Sequence, residues 1–239
     1  MRPTITVLLL ALLLSACGPM RNLQKVETRI PCLGSVGKSS TTLFTKDFQK
    51  AGEPSLDTPL EVSLNVFDFS QSTLSKYRKF KERQGVKATD SLKNSTQAAN
   101  SKYYKLRVSD LVGLKAQLNA AKNLTLKEYL QDDSDLEVLT GISFVAKGGL
   151  DSKLRTAHHF YLKESRGTLV LEAHNGKQFS TIEMAGLEIF DFETSQLCWK
   201  RNHRGKLEIA TITDSGSRCP GDTEKDPNKL DSTKNYLKL

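Results

Sequence analysis

The residues best suited to chemistry in this sequence are scattered. There are four histidines, His158, His159, His174 and His203. His158 and His159 are adjacent on an expected strand and therefore point to opposite faces, while His174 and His203 are expected in turns. No HxxxH or HExxH spacing occurs, so no metal site is expected and no cofactor is assigned. Acyl transfer from a nucleophile elbow would need Gly-x-Ser-x-Gly, which is absent. Glycoside hydrolysis needs two facing carboxylates. Glu172, Glu183, Glu188 and Asp191 are available, but Glu172 and Glu188 alternate with apolar neighbours and read as solvent-facing strand positions. The run Gly34-Ser35-Val36-Gly37-Lys38-Ser39-Ser40 superficially resembles a phosphate loop. Its first glycine is two residues too close to Gly37 for that pattern, and no helix is expected after it. No catalytic residue is assigned.

A second constellation is electrostatic. Trp199 is the one tryptophan of the chain, and Lys200, Arg201, Arg204 and Lys206 surround an expected hairpin tip beside it. An aromatic ring next to cations suits an anionic or glycan partner, which makes these five the candidate partner-binding residues. The competing reading buries Trp199 in a core and leaves the charges as a solvated hairpin. The whole chain is basic, formally +8. Such a charge serves solubility, or a partner such as anionic lipid headgroups or envelope polysaccharide. Nucleic acid is not the expected partner.

The N-terminus sets the compartment. Arg2 precedes an apolar run from Ile5 to Leu14, broken by Thr6, and Leu14-Ser15-Ala16-Cys17 follows: a charged region, a short apolar segment and a small-residue cleavage site. The run is shorter than the roughly 20 residues a membrane span needs. The tetrad resembles the lipobox of bacterial lipoproteins, matching at Leu14, Ser15, Ala16 and Cys17. That resemblance implies cleavage before Cys17, a diacylglyceride thioether on its sulfur and an acylated amine, in all enough buried CH₂ for stable anchoring. Gly18 stands where an aspartate often retains such proteins in the inner membrane, so the outer membrane is favoured. Residues 1–16 are then signal peptide, and 223 of the 239 residues remain.

An exported chain permits disulfides. Three cysteines remain besides Cys17, an odd number. Proximity in sequence favours Cys198 with Cys219, leaving Cys32 free; a link from Cys32 to either partner is the alternative.

These residues must be positioned by a mainly β, α+β domain. Residues 17–58 lack sustained periodicity and are expected as anchor and loose tether. Residues 61–69 alternate as a strand. Residues 72–84 form a short basic amphipathic helix with Leu74, Tyr77 and Phe80 on one side, followed by an exposed polar loop to residue 101. After a strand at 103–108, Ser109 or Asp110 caps a helix. Thr125 to Glu128 reads as a capping box opening a second helix, giving a helical insertion over 109–131. From residue 138 onward apolar runs follow at short spacing with no helix of useful length between them. That pattern predicts an antiparallel meander forming a barrel or a sandwich, ending near residue 222 before a polar tail. The functional expectation is a membrane-anchored envelope lipoprotein that acts as a non-catalytic binding or assembly module. A periplasmic hydrolase with a dispersed site and a carrier of a small apolar ligand in a closed barrel are the rivals.

Overall fold

The computed structural model describes residues 32–41, 46–85, 102–146, 149–184 and 187–231. The signal segment, Cys17 and nearly all of the polar stretch before Lys102 lie outside the described residues. No helix among the described residues is long and apolar enough to cross a membrane.

The centre of the molecule is β5 (Glu137–Val145), buried at every position but the last. Its run VLTGISFV is apolar enough to be covered on both faces. On one side it pairs antiparallel along its length with β9 (Glu188–Arg201). On the other, its C-terminal half pairs with β4 (Lys102–Val108) and its first residues pair with β1 (Val36–Thr41). The sheet runs β10 (Leu207–Asp214), β9, β5, β4, β3 (Leu60–Asp68), β6 (His159–Ser165), β7 (Thr168–Asn175), β8 (Gln178–Ile182), with β2 (Lys46–Gly52) on β1. All ten strands pair antiparallel. The sheet folds over into a sandwich-like shape and does not close into a barrel, which removes the premise of a ligand carrier built on a closed barrel. The space between the layers is filled by side chains such as Tyr104, Leu106, Phe144, Leu162, Leu171 and Trp199.

Among the described residues, four α-helices dress the sheet. α1 (Gln71–Arg83) starts at Ser70, whose hydroxyl accepts from the Thr73 N–H while Thr73 returns the bond to the Ser70 backbone. α2 (Leu111–Asn119) is capped by Asp110, which accepts from Gly113 N–H at 2.7 Å. A 3₁₀ turn leads into α3 (Leu124–Asp132). The α2–α3 pair is pinned to the chain before β3. Asn123 exchanges hydrogen bonds with the Ser55 backbone, and Gln117 accepts from Asp57 N–H. Asn119 binds both the N–H and the C=O of Ile209 on β10, satisfying a sheet edge that would otherwise be open to another strand.

Several expectations are corrected. Thr125 is not a cap: α3 begins one residue earlier, and Asn123 stands at its N-cap with no side-chain cap bond, because its amide is already engaged by Ser55 and Gln117. A helix does separate two of the later strands, α4 (Gly149–Thr156). It buries Leu154 and docks Asp151 on the Tyr104 hydroxyl. Eight residues with few apolar positions carry too little periodicity to announce themselves. The apolar stretches on either side of Glu193 to Gln196 belong to one strand, β9. Its polar middle is tied to neighbouring strands: the Thr140 and Ser195 hydroxyls meet at 2.7 Å, and Glu193 pairs with Lys105 and Arg107 of β4. Part of the expected tether is sheet, since β1 and β2 fall inside it. Gly37 allows their approach: a Cβ there would meet the Gln49 carbonyl oxygen at 2.2 Å. Nor does the fold stop at residue 222. Glu224 bridges the backbone of Trp199 and Leu230 packs against the core.

Candidate functional site

The disulfide joins Cys198, on β9, to Cys219, beyond β10, with Cα atoms 5.7 Å apart. Cys32 is the free cysteine among the described residues. Burial, then the Glu53 carboxylate, push its thiol up from its ordinary pKa, which disfavours the reactive thiolate. Past Gln196, β9 runs beyond the start of β5, so the β5 side of Trp199 would lack a backbone partner. Glu224 supplies it: Trp199 N–H donates to the Glu224 carbonyl at 2.8 Å, and Glu224 N–H donates to the Trp199 carbonyl at 3.0 Å. The disulfide and this bridge strap the segment after β10 across the end of β9.

The five candidate partner-binding residues separate into two groups. Trp199 is 1% exposed, on the side of β9 that faces the core with its neighbour Ile209. It offers no ring to a partner, so the pairing of an aromatic surface with cations does not hold at this hairpin. The cations do come together. Asn202 Oδ1 accepts from the N–H groups of Arg204 and Lys206 at 3.0 Å and builds the tip, and Gly205 takes the left-handed conformation the turn needs, φ +73°. Arg201 donates to the Gly205 carbonyl. Lys200 pairs with Glu208 at 3.2 Å, directly across the ladder. Lys127, on α3, joins them through the fold and not through any nearness in sequence. Burial pulls its pKa down, and the Lys206 charge adds to this while Glu208 opposes it. Glu208 thus pairs with Lys200 and also acts on Lys127.

The carboxylates weighed for hydrolysis do not face each other. Glu188 accepts from the Tyr77 hydroxyl and Lys81 at 2.9 Å, and Asp191 from Lys76 at 2.6 Å. Both therefore fasten α1 to β9. Beneath that helix Phe69, Tyr77, Tyr103 and Phe190 form a ring cluster with centroids 5.0 to 5.8 Å apart. Burial, then Glu188, raise the Tyr77 hydroxyl well above its usual value, which suits a donor holding a carboxylate. Tyr104, pushed up to about 12 by burial and then by Asp151, holds α4 in the same way. Glu183 is exposed. Glu137 is 6% exposed where β1, β5 and β9 meet. Burial would raise its pKa, but hydroxyls of Ser215, Thr194 and Ser39 outweigh that and hold it below the usual carboxylate value.

Glu172 is on β7, on the outer face, yet 8% exposed. Burial disfavours its charge; His174 and Lys163, at 3.2 and 3.1 Å, more than restore it and leave its pKa lowered. His174 lies in β7 and not in a turn, directly opposite His159 on β6. Its ring stacks on Phe179 and meets the Tyr161 ring edge to face. His158 is bound through its backbone to His174, and His203 is at the β9–β10 tip. Among the described residues no three metal-binding side chains gather.

No family model, no curated protein and no solved structure matches this chain.

Proposed function

We propose that this protein is a lipid-anchored lipoprotein of the bacterial envelope, held through Cys17 and favouring the outer membrane. In this reading its sandwich-like domain is a non-catalytic binding or assembly module. The observation that supports the binding role is the gathering of cations at the β9–β10 hairpin, where Lys200, Arg201, Arg204 and Lys206 share one tight turn and Lys127 of α3 comes close enough to feel the charges of Lys206 and Glu208. A surface of this kind raises the local concentration of an anionic partner and steers its approach. The rigid tip, closed by Asn202 and Gly205, presents those charges on a fixed frame, so less ordering entropy is lost on contact.

The anchor supports the envelope reading independently. Cys17→Ser removes the sulfur that takes the diacylglyceride, so the variant should leave the membrane fraction or remain an uncleaved precursor. A Cys17→Ser protein that is still acylated and partitions as wild type contradicts the anchor. The binding role is tested by neutralising Lys200, Arg204 and Lys206 together. The variant should fold as wild type and lose envelope crosslinks in intact cells; unchanged crosslinks refute the hairpin as the contact surface.

A further inference from the structure

We propose that His159 and His174 form a two-histidine binding site for a first-row divalent transition-metal ion on the outer face of β6 and β7. The two residues stand opposite each other in the antiparallel ladder, with side chains on the same face. Opposed residues have Cβ atoms about 4.5–5.5 Å apart, so two imidazoles can converge on one ion at ordinary metal–nitrogen distances of about 2.0–2.1 Å. A sheet supplies this spacing without reorganisation, because the backbone of both strands is fixed by the ladder.

The chemistry of His174 is already that of a ligand. Its Nε2 lies 3.2 Å from Glu172 Oε2. Donation from Nε2–H to that carboxylate selects the tautomer whose Nδ1 lone pair is free to bind a cation. A carboxylate behind a histidine fixes the ring and raises its basicity in this way at metal centres. Glu172 is 8% exposed on the outer face, and Lys163 at 3.1 Å binds its other oxygen, so the carboxylate is held in place behind the ring. Phe179 and Tyr161 hold the His174 ring from two sides. His159 is exposed and can swing to meet an ion. Two protein nitrogens leave the other coordination positions to water or to an incoming group, so the ion is exchangeable, unlike one in a closed four-ligand site. Imidazole pairs favour Ni²⁺, Cu²⁺ and Zn²⁺ over Mg²⁺ or Ca²⁺, which take oxygen. The site is separate from the β9–β10 hairpin, and neither proposal depends on the other.

The test is titration of the mature full-length protein in detergent with Ni²⁺, followed by calorimetry, with Mg²⁺ as the control cation. One saturable Ni²⁺ site per chain is expected, with none for Mg²⁺. His159→Ala, His159→Gln and His174→Ala should each abolish saturable binding. Glu172→Gln should weaken it by about tenfold or more. His203→Ala and Cys32→Ser should bind as wild type. Circular dichroism verifies the fold of each variant, and Ni²⁺ should raise the thermal midpoint of wild type but not of the His159 variants. No saturable binding by wild type overturns the proposal. So does wild-type affinity in the His159 and His174 variants, or loss of binding in Cys32→Ser.

Discussion

Replacing Cys219 with alanine opens the Cys198–Cys219 link while leaving Cys198 as a buried thiol beside Thr213, whose hydroxyl is 3.7 Å from its sulfur. That position is fully buried, and a small thiol is well tolerated there. The cost therefore comes mainly from the unfolded chain, which regains the freedom of a loop of 21 residues. On the chain-entropy relation that is roughly 3 kcal/mol at 25 °C. The Glu224–Trp199 bridge still holds the strap in the folded protein, so native-state losses should add little. At a urea sensitivity of about 2 kcal/mol per M, the midpoint should fall by roughly 1.5 M. Trp199 is the single tryptophan, buried and adjacent to the bridge, so its fluorescence reports the transition directly. The assay compares non-reduced wild type, reduced wild type and Cys219→Ala, with thiol alkylation confirming Cys32 and Cys198 as free in the variant. Coincident midpoints for oxidised wild type and the variant would show that the cross-link constrains nothing in the unfolded ensemble, contrary to this expectation.

Glu137→Gln should destabilise the fold by about 1–3 kcal/mol at neutral pH, the range for leaving a buried hydrogen-bonded network incomplete. Because the folded pKa of Glu137 is lowered, its ionisation contributes stability above the unfolded carboxylate pKa of about 4.3, and that contribution is lost as pH falls through the folded value. Urea midpoints measured from pH 7 downward should therefore converge in acid, and a gap independent of pH would contradict this. Asp110→Ala should cost about 1 kcal/mol by removing the α2 cap, whereas Thr125→Ala, inside the first turn of α3, should be close to neutral; equal losses in urea would show that the cap assignment is wrong. Gly37→Ala should break the β1–β2 contact, since the added carbon meets Gln49 O at 2.2 Å, and hydrogen exchange confined to β1 and β2 should accelerate; unaltered protection there would contradict it.

Much of the β architecture was legible because the later strands are apolar enough to show their period, and because Asn175-Gly176 marks a tight turn. What stayed hidden was long-range pairing. Arg166 and Gly167 both take the left-handed conformation, φ +53° and +77°, and close a two-residue hairpin between Ser165 and Thr168. Arginine is not a customary residue for that role, so the sequence shows a short connection there but not the turn type that sets His159 opposite His174. β1 and β2 were missed because their sequences are polar and only Val36 and Phe48 turn inward. The cations of the β9–β10 hairpin are legible from local spacing alone, but Lys127 comes near Lys206 and Glu208 only through the packing of the helices on β10. Trp199 illustrates the opposite error, since adjacency in sequence to Lys200 says little about a shared surface when alternate strand residues face opposite ways.

The binding role rests on the hairpin, and site-specific photocrosslinking in intact cells tests it most directly. A crosslinking side chain is placed at Arg204, on the β9–β10 tip, or at Arg166, on the β6–β7 turn. A discrete adduct is expected from position 204 and none from position 166. No adduct at 204, or the same adduct from both positions, would contradict it.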